Sequence, residues 1–281
     1  MHSTNGSSYS TTIFLSYEDS ITDSNSDENV YYAADTNRHC NHKNYTLTEY
    51  VCSQIVKKGT TMPDGFMDAG YTRRLPVYLL LDCSGSMQGD PIVAVNEGLG
   101  MIYSLLINDA HALETVFISV ITFSNRVDQY QLVPLEFFQP PPLRAEGETR
   151  MGSALDFLVQ SIDQDLIQNS PTQHGDYCPL VFMLTDGVPT DNYRDALYRL
   201  KQLRGSKKPS IVALGCGPNV NTTLLREITD SVFLMHATAP ETIKAFFRWI
   251  SSSISQTSRA LSNDAYAPTV YAPPPQGINR Q

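Results

Sequence analysis

From Arg73 onward the chain alternates short apolar runs with stretches whose apolar residues recur every three or four positions. Val77-Tyr-Leu-Leu-Leu81 is a continuous run of strand length, and residues 116–123, 180–184, 210–214 and 232–234 repeat that character. Between them, Ile92, Val95, Leu99, Ile102 and Leu106 fall on one helical face, as do Leu155, Leu158, Ile162 and Leu166 within a helix expected over 151–168. Further helices are predicted over 192–203, 221–228 and 241–254, with an additional short strand at 127–133 before the Pro140-Pro-Pro142 loop. Asp90 reads as an N-cap followed by proline, and Gly205 as a left-handed stop. Strands that are apolar without alternation are buried on both faces. The pattern therefore predicts an α/β, Rossmann-like, doubly wound domain: a mostly parallel central sheet with helices on both faces.

Composition changes along the chain and sets the boundaries. The first seventy residues are rich in Ser, Thr, Asn, Asp and Tyr and hold nine acidic against four basic residues. Their β-like patches at 12–17 and 30–34 lack partners of matching length, so residues 1–72 are expected to be a disordered polar extension. The domain is expected over 73–256. Residues 257–281 include Ala267-Pro-Thr-Val-Tyr-Ala-Pro-Pro-Pro275, which predicts a flexible, polyproline-like tail.

With 281 residues and 41% hydrophobic positions, the chain can bury the core of one large domain. A net charge of −9 argues against nucleic-acid binding, which needs a basic face. No apolar run approaches the ~18 residues of a membrane span, and no basic stretch followed by an apolar one opens the chain as a signal peptide would. Five scattered cysteines, without a Cys-x-x-Cys, fit a reducing compartment, so the expected location is cytoplasmic.

In sheets of this kind ligands bind beyond the carboxyl ends of the strands. The first strand ends in Asp82-Cys83-Ser84-Gly85-Ser86 and a later one in Thr185-Asp186-Gly187, while Gly147-Glu-Thr149-Arg-Met-Gly152 opens a helix between them. These segments supply two carboxylates, Asp82 and Asp186, and three hydroxyls, Ser84, Ser86 and Thr149. An all-oxygen set without Cys or His disfavours zinc and copper and suits a hard cation. Mg²⁺ fits best, with Mn²⁺ or Ca²⁺ as substitutes. Five donors leave a coordination position for water or for a partner's oxygen.

This constellation resembles the metal-ion-dependent adhesion site of von Willebrand factor A (VWA) domains over about Leu75 to Ile254. The stretches Arg73-Arg-Leu-Pro-Val-Tyr-Leu-Leu-Leu-Asp82, Leu113-Glu-Thr-Val116, Ser119-Val-Ile-Thr-Phe123, Pro179-Leu-Val-Phe182 and Thr185-Asp-Gly-Val-Pro-Thr190 look like the TerY-type branch. That branch is associated with tellurium-resistance loci and, in some neighbourhoods, with a protein kinase and a metal-dependent phosphatase. The resemblance implies a cytoplasmic, non-enzymatic protein-binding module. It implies that Ser84, Ser86 and Thr149 ligate the ion directly, that Asp82 and Asp186 act largely through water, and that a partner protein supplies an acidic residue. Cys83 departs from the Thr expected there, and the long amino-terminal extension lies outside the pattern. Met87, Gln88, Arg150, Met151, Val188 and Tyr193 are the candidates for a collar around the ion.

Plainer roles compete for several residues. Asp90 and Asp191 read as caps of the helices that follow them, and Cys83 as a small core residue. His39-Cys40-Asn41-His42 lacks a fourth ligand at zinc-like spacing. Gly215-Cys216-Gly217 lacks the third glycine of a dinucleotide fingerprint and reads as a turn. A hydrolase would need Ser84 or Ser86 served by His174 or His236, without a nucleophile elbow. A phosphotransferase would need a second Asp where Ser84 stands and a Lys after Asp186. The expectation is that the chain is not an enzyme; the alternatives are a purely structural metal in a scaffold, or a Mg²⁺-dependent phosphatase-like activity.

Overall fold

The computed structural model describes residues 73–171, 173–218, 220–235 and 239–280. The expected disorder of residues 1–72, the His39–His42 cluster, Cys52 and His236 lie outside the described residues.

Strand β1 (Leu75–Asp82) is buried along its whole length. It lies at the centre of a sheet with β2 (Val116–Phe123), β3 (Val127–Pro134), β4 (Leu180–Thr185), β5 (Ser210–Cys216), β6 (Val232–Met235) and β7 (Asn279–Arg280). Among the described residues the order is β3-β2-β1-β4-β5-β6-β7. The inner pairings are parallel, and only the edge strands β3 and β7 run antiparallel. The expected mostly parallel sheet is therefore present.

Six helices are described: α1 (Asp90–Leu106), α2 (Ala110–Thr115), α3 (Met151–Asp165), α4 (Arg194–Gln202), α5 (Thr222–Ile228) and α6 (Pro240–Asn263). Alternation along β1 divides the core. Leu75, Val77, Leu79 and Leu81 share a cluster with Val95, Leu99, Ile102, Phe246, Phe247 and Ile250 of α1 and α6. Tyr78 and Leu80 face Leu155, Leu158 and Ile162 of α3 with Leu197 and Leu200 of α4. Each fully buried leucine contributes roughly 1.5–3 kcal/mol, so a strand covered on both sides anchors the domain.

Several local expectations change. The N-cap of α1 is Gly89 at φ 87, with Asp90 already inside the first turn. Asp90 stays exposed and adds its charge to the helix amino terminus instead of capping it. Helix α2 was not predicted; its N-cap Asp109 accepts from His111 N and Ala112 N. Helix α6 continues past the expected Ile254 to Asn263, because its hydroxyls are buried and bonded: Ser253, Thr257 and Ser258 are each at most 1% exposed. The tail that follows is packed, with Ala272 and Ile278 joining the α1–α6 core. Among the described residues no helix is long and apolar enough to cross a membrane.

Candidate metal centre

The sheet reverses its winding between β1 and β4, and the carboxyl ends of both strands meet there. Leu81 pairs with Leu184, which sets Asp82 beside Thr185 at one edge. Thr185 Oγ1 donates to Asp82 Oδ2 at 2.6 Å, and Ser84 N donates to Asp82 Oδ1 at 2.8 Å. After Ser84 the chain curls into a 3-10 turn at Gly85–Met87, with Met87 N donating to Ser84 O. That turn brings Ser86 Oγ to 3.0 Å from Ser84 Oγ and lets it donate to Asp186 Oδ1 at 2.7 Å.

The helix-opening loop is stitched to the first. Glu146 N donates to Cys83 O, and Gly85 N to Gly147 O at 2.9 Å. Gly147 has φ 77, a conformation that favours glycine, and its backbone lies tight against the Asn125 side chain. Thr149 is 6% exposed, and its backbone carbonyl accepts from Thr190 N at 3.0 Å. Its hydroxyl lies so close to Gly187 that a Cβ there would come within 2.9 Å of Thr149 Oγ1. All five predicted residues, Asp82, Ser84, Ser86, Thr149 and Asp186, are thus gathered at one sheet edge.

Three contributors were missed or misplaced in the sequence reading. Thr185 clamps Asp82, although it stands inside the Thr-Asp-Gly motif. Asn125 Oδ1 accepts from Glu148 N and holds the second loop. Asp191 caps not the following helix but α3, accepting from Gly152 N, Ser153 N and Ser153 Oγ, each at 2.8 Å. The collar is also smaller than expected. Met87 and Met151 are 0% and 1% exposed and belong to the core, which leaves Gln88, Arg150 and Val188 on the surface. Tyr193 is half-buried against the α3–α4 core.

The electrostatics separate this site from the protein's other buried acid. Asp176 is 2% exposed and is neutralised by Arg74, whose Nε and Nη2 donate to it at 2.8 and 2.5 Å. Asp82 and Asp186, at 0% and 7% exposure, have no such partner among the described residues. The hydrogen bonds that reach them come from hydroxyls and a backbone amide, and the ion pairs among the described residues lie elsewhere. Burial pushes both carboxyls above their usual range, only partly offset by those hydrogen bonds. Two uncompensated buried carboxylates cost several kcal/mol on the scale of buried charge, and a cation is the group that would remove that cost. The donor set fits one: two carboxylates and three hydroxyls, all oxygen. Among the described residues no group of three or more His, Cys, Asp or Glu is placed to hold a metal ion, so a site here depends on the hydroxyls beside its two carboxylates.

Cys83 is 5% exposed, and burial followed by the charge of Asp82 pushes its thiol up to about 12. It is a core residue, as predicted. His174 is exposed in the loop that enters β4, at the opposite edge of the parallel sheet from Ser84 and Ser86. It cannot serve either hydroxyl as a base. Gly215 and Cys216 end β5, and Gly217 turns at φ 79 with its N–H on Met235 O.

Comparisons with known proteins agree with this architecture. Among curated proteins none matches the chain. A von Willebrand factor type A protein from Catenulispora acidiphila superposes with a TM-score of 0.50 at 19% identity, covering 66% of this chain and 43% of that one. The pilus adhesin SpaC from Lactobacillus rhamnosus GG gives 0.51 at 15% identity, covering 66% and 30%. A proximal thread matrix protein from the mussel byssus, solved with a zinc-occupied MIDAS motif, gives 0.48 at 16%, covering 65% and 48%. The chain spans less than half the length of each, and at these identities the likeness is one of fold. The profile of the von Willebrand factor type A domain matches residues 77–248, from β1 into α6 and across all three site loops. The chain therefore belongs to the von Willebrand factor type A domain family.

Proposed function

We propose that this chain is a metal-dependent protein-binding module without enzymatic activity. A divalent ion, Mg²⁺ in the first place and Mn²⁺ or Ca²⁺ as substitutes, is held by Ser84, Ser86 and Thr149, with Asp82 and Asp186 acting largely through water. The ion would supply an electrophilic centre with a free position, and a carboxylate from a partner protein fills it. The observation that carries this reading is the pair of buried carboxylates without a cationic partner among the described residues, gathered with three hydroxyls from separate loops. Gln88, Arg150 and Val188, the last 52% exposed, line the approach with hydrogen-bonding and apolar surface.

The finer assignment rests on the motif stretches around Asp82, Thr122 and Asp186. From their resemblance we infer a TerY-type module, in the cytoplasm, with a partner from a tellurite-stress or phosphorylation-linked system. Among the described residues the site offers ligands but no positioned base or leaving-group acid, which favours recognition over catalysis.

The test is affinity capture from the native cell in Mg²⁺ or in EDTA, using wild type and Asp82→Ala. Partners retained only by wild type in Mg²⁺ support the reading. Equal retention in all samples makes the metal structural. Turnover of a phosphoester that depends on Asp82 makes the protein an enzyme.

A further inference from the structure

After α6 ends, the chain turns at residues 264–267, with Ala267 N on Asp264 O, and runs back along the helix it has just left. One stripe of that helix receives it: Trp249, Ser253 and Thr257, spaced by four residues. Thr257 Oγ1 donates to Val270 O at 2.8 Å and accepts from Val270 N at 3.1 Å. Ser253 Oγ accepts from Ala272 N at 3.1 Å, and Trp249 Nε1 donates to Ala272 O at 2.6 Å. All four bonds read main chain. The side chain recognised is Tyr271. Its ring stacks on Trp249 at 5.9 Å and 19°, stands edge-on to Phe182 at 6.5 Å, and its hydroxyl lies 2.6 Å from Ser210 Oγ on β5. Beyond Gly277, Ile278 enters the core and Asn279–Arg280 pairs with Leu234 and Phe233 on the edge of β6.

This is how a peptide is held in a groove: side chains of the host bond the backbone of an extended segment, and one aromatic fills a socket. Here the stripe is an indole and two hydroxyls, groups that water satisfies when the segment leaves. We propose that this face is a peptide-binding groove, and that its ligand is the chain's own tyrosine-bearing segment 270–272, bound as a detachable clasp. Closing the clasp covers Trp249 and pairs the edge of β6; opening it frees both, and an exposed edge is a template for strand addition.

Trp249 is the only tryptophan of the chain, so tryptophan emission reports on the groove and on the core rings of Phe182, Phe233 and Phe246 that it touches. In the full chain, Tyr271→Ala shifts that emission to the red and raises acrylamide quenching about threefold while the far-UV dichroism is kept. A synthetic peptide of residues 267–275 then restores the wild-type emission saturably, and the same peptide carrying Tyr271→Ala does not. Wild-type emission in the variant, or no recovery with the peptide, overturns the proposal and makes the segment a fixed part of the fold. Should Tyr271→Ala fail to fold, Thr257→Val keeps the aromatic stack and removes two main-chain bonds. Amide exchange at residues 269–272 then rises at least tenfold with α6 unchanged; equal acceleration throughout α6 overturns the proposal.

Discussion

Ser86 Oγ donates to Asp186 Oδ1 at 2.7 Å across one hundred positions of sequence. The bond spans the point where the sheet reverses direction, and it ties the loop after β1 to the loop after β4. The same place holds Asp82 against Thr185. An ion bound there would replace hydroxyl–carboxylate contacts that already hold the loops together.

Divalent metal should stabilise the folded state alone, since only folding gathers the three loops. At a hundredfold excess over Kd, Mg²⁺ adds about 2.7 kcal/mol, read as a rise in Tm. Thr149→Ala or Asp186→Ala should abolish that rise. Alkylating the thiols should leave it intact, because the donors are all oxygen.

Asp191 caps α3 with three hydrogen bonds, and Thr149 stands two residues before that helix begins at Met151. Asp191→Ala should cost about 1–2 kcal/mol in denaturant unfolding, the scale of a lost cap. It should also weaken Mg²⁺ binding, because the loop carrying Thr149 loses its anchor. An unchanged metal affinity would show that the cap and the ligand loop are independent.

Gly98 lies inside α1, where glycine costs roughly 0.5–1 kcal/mol relative to alanine. A Cβ at this position would sit 2.3 Å from Phe247 Cδ2, and Phe247 is fully buried. Gly98→Ala should therefore destabilise by about 1–3 kcal/mol despite its better helix propensity. Phe247→Leu in the same chain should recover part of the loss, which equilibrium unfolding of the double variant measures.

Burial raises the Asp109 carboxyl, but hydrogen bonds from Ser255 and Arg259 outweigh it and hold the group below its usual range. A lowered carboxyl contributes stability above its unfolded value of 3.8 and loses it as pH falls through the folded value. Asp109→Asn should lower Tm at neutral pH and flatten the fall of Tm below about pH 5. A parallel acid limb in the variant would show that Asp109 does not drive it.

Cys178 is exposed, whereas Cys83 and Cys216 are buried, with both thiols raised first by burial and then by nearby carboxylates. Iodoacetamide should label Cys178 in the native protein and reach Cys83 and Cys216 only on unfolding. Peptide mapping after timed labelling reads this directly. Rapid modification of native Cys83 would instead make it a reactive thiol beside the metal centre.

The buried strands were legible in the sequence because their apolar runs are local. So were the three site loops: Asp82, Ser84 and Ser86 lie within five residues, and Thr185-Asp186-Gly187 ends a strand that could only be parallel. Less legible were residues whose role depends on a partner elsewhere. Met87 and Met151 flank the site in sequence, yet both turn inward to the core, and which way a side chain at a loop end points is set by the packing of the elements it joins.

The sequence by itself determined strands β1 to β6, the helices other than α2 and the five oxygen-bearing residues at the loop ends, since periodicity and turn residues act within a few positions. Only the tertiary structure decided that Asp191 caps a helix some forty residues upstream and that Thr185 clamps Asp82. It also decided that the serines and threonines of α6, read from composition as the end of a helix, continue it. Their hydroxyls find partners in Thr115 of α2 and in the main chain at Val270 and Ala272. A hydroxyl with a buried partner stabilises a helix that its intrinsic propensity would fray, and that partner exists only once the chain has folded back.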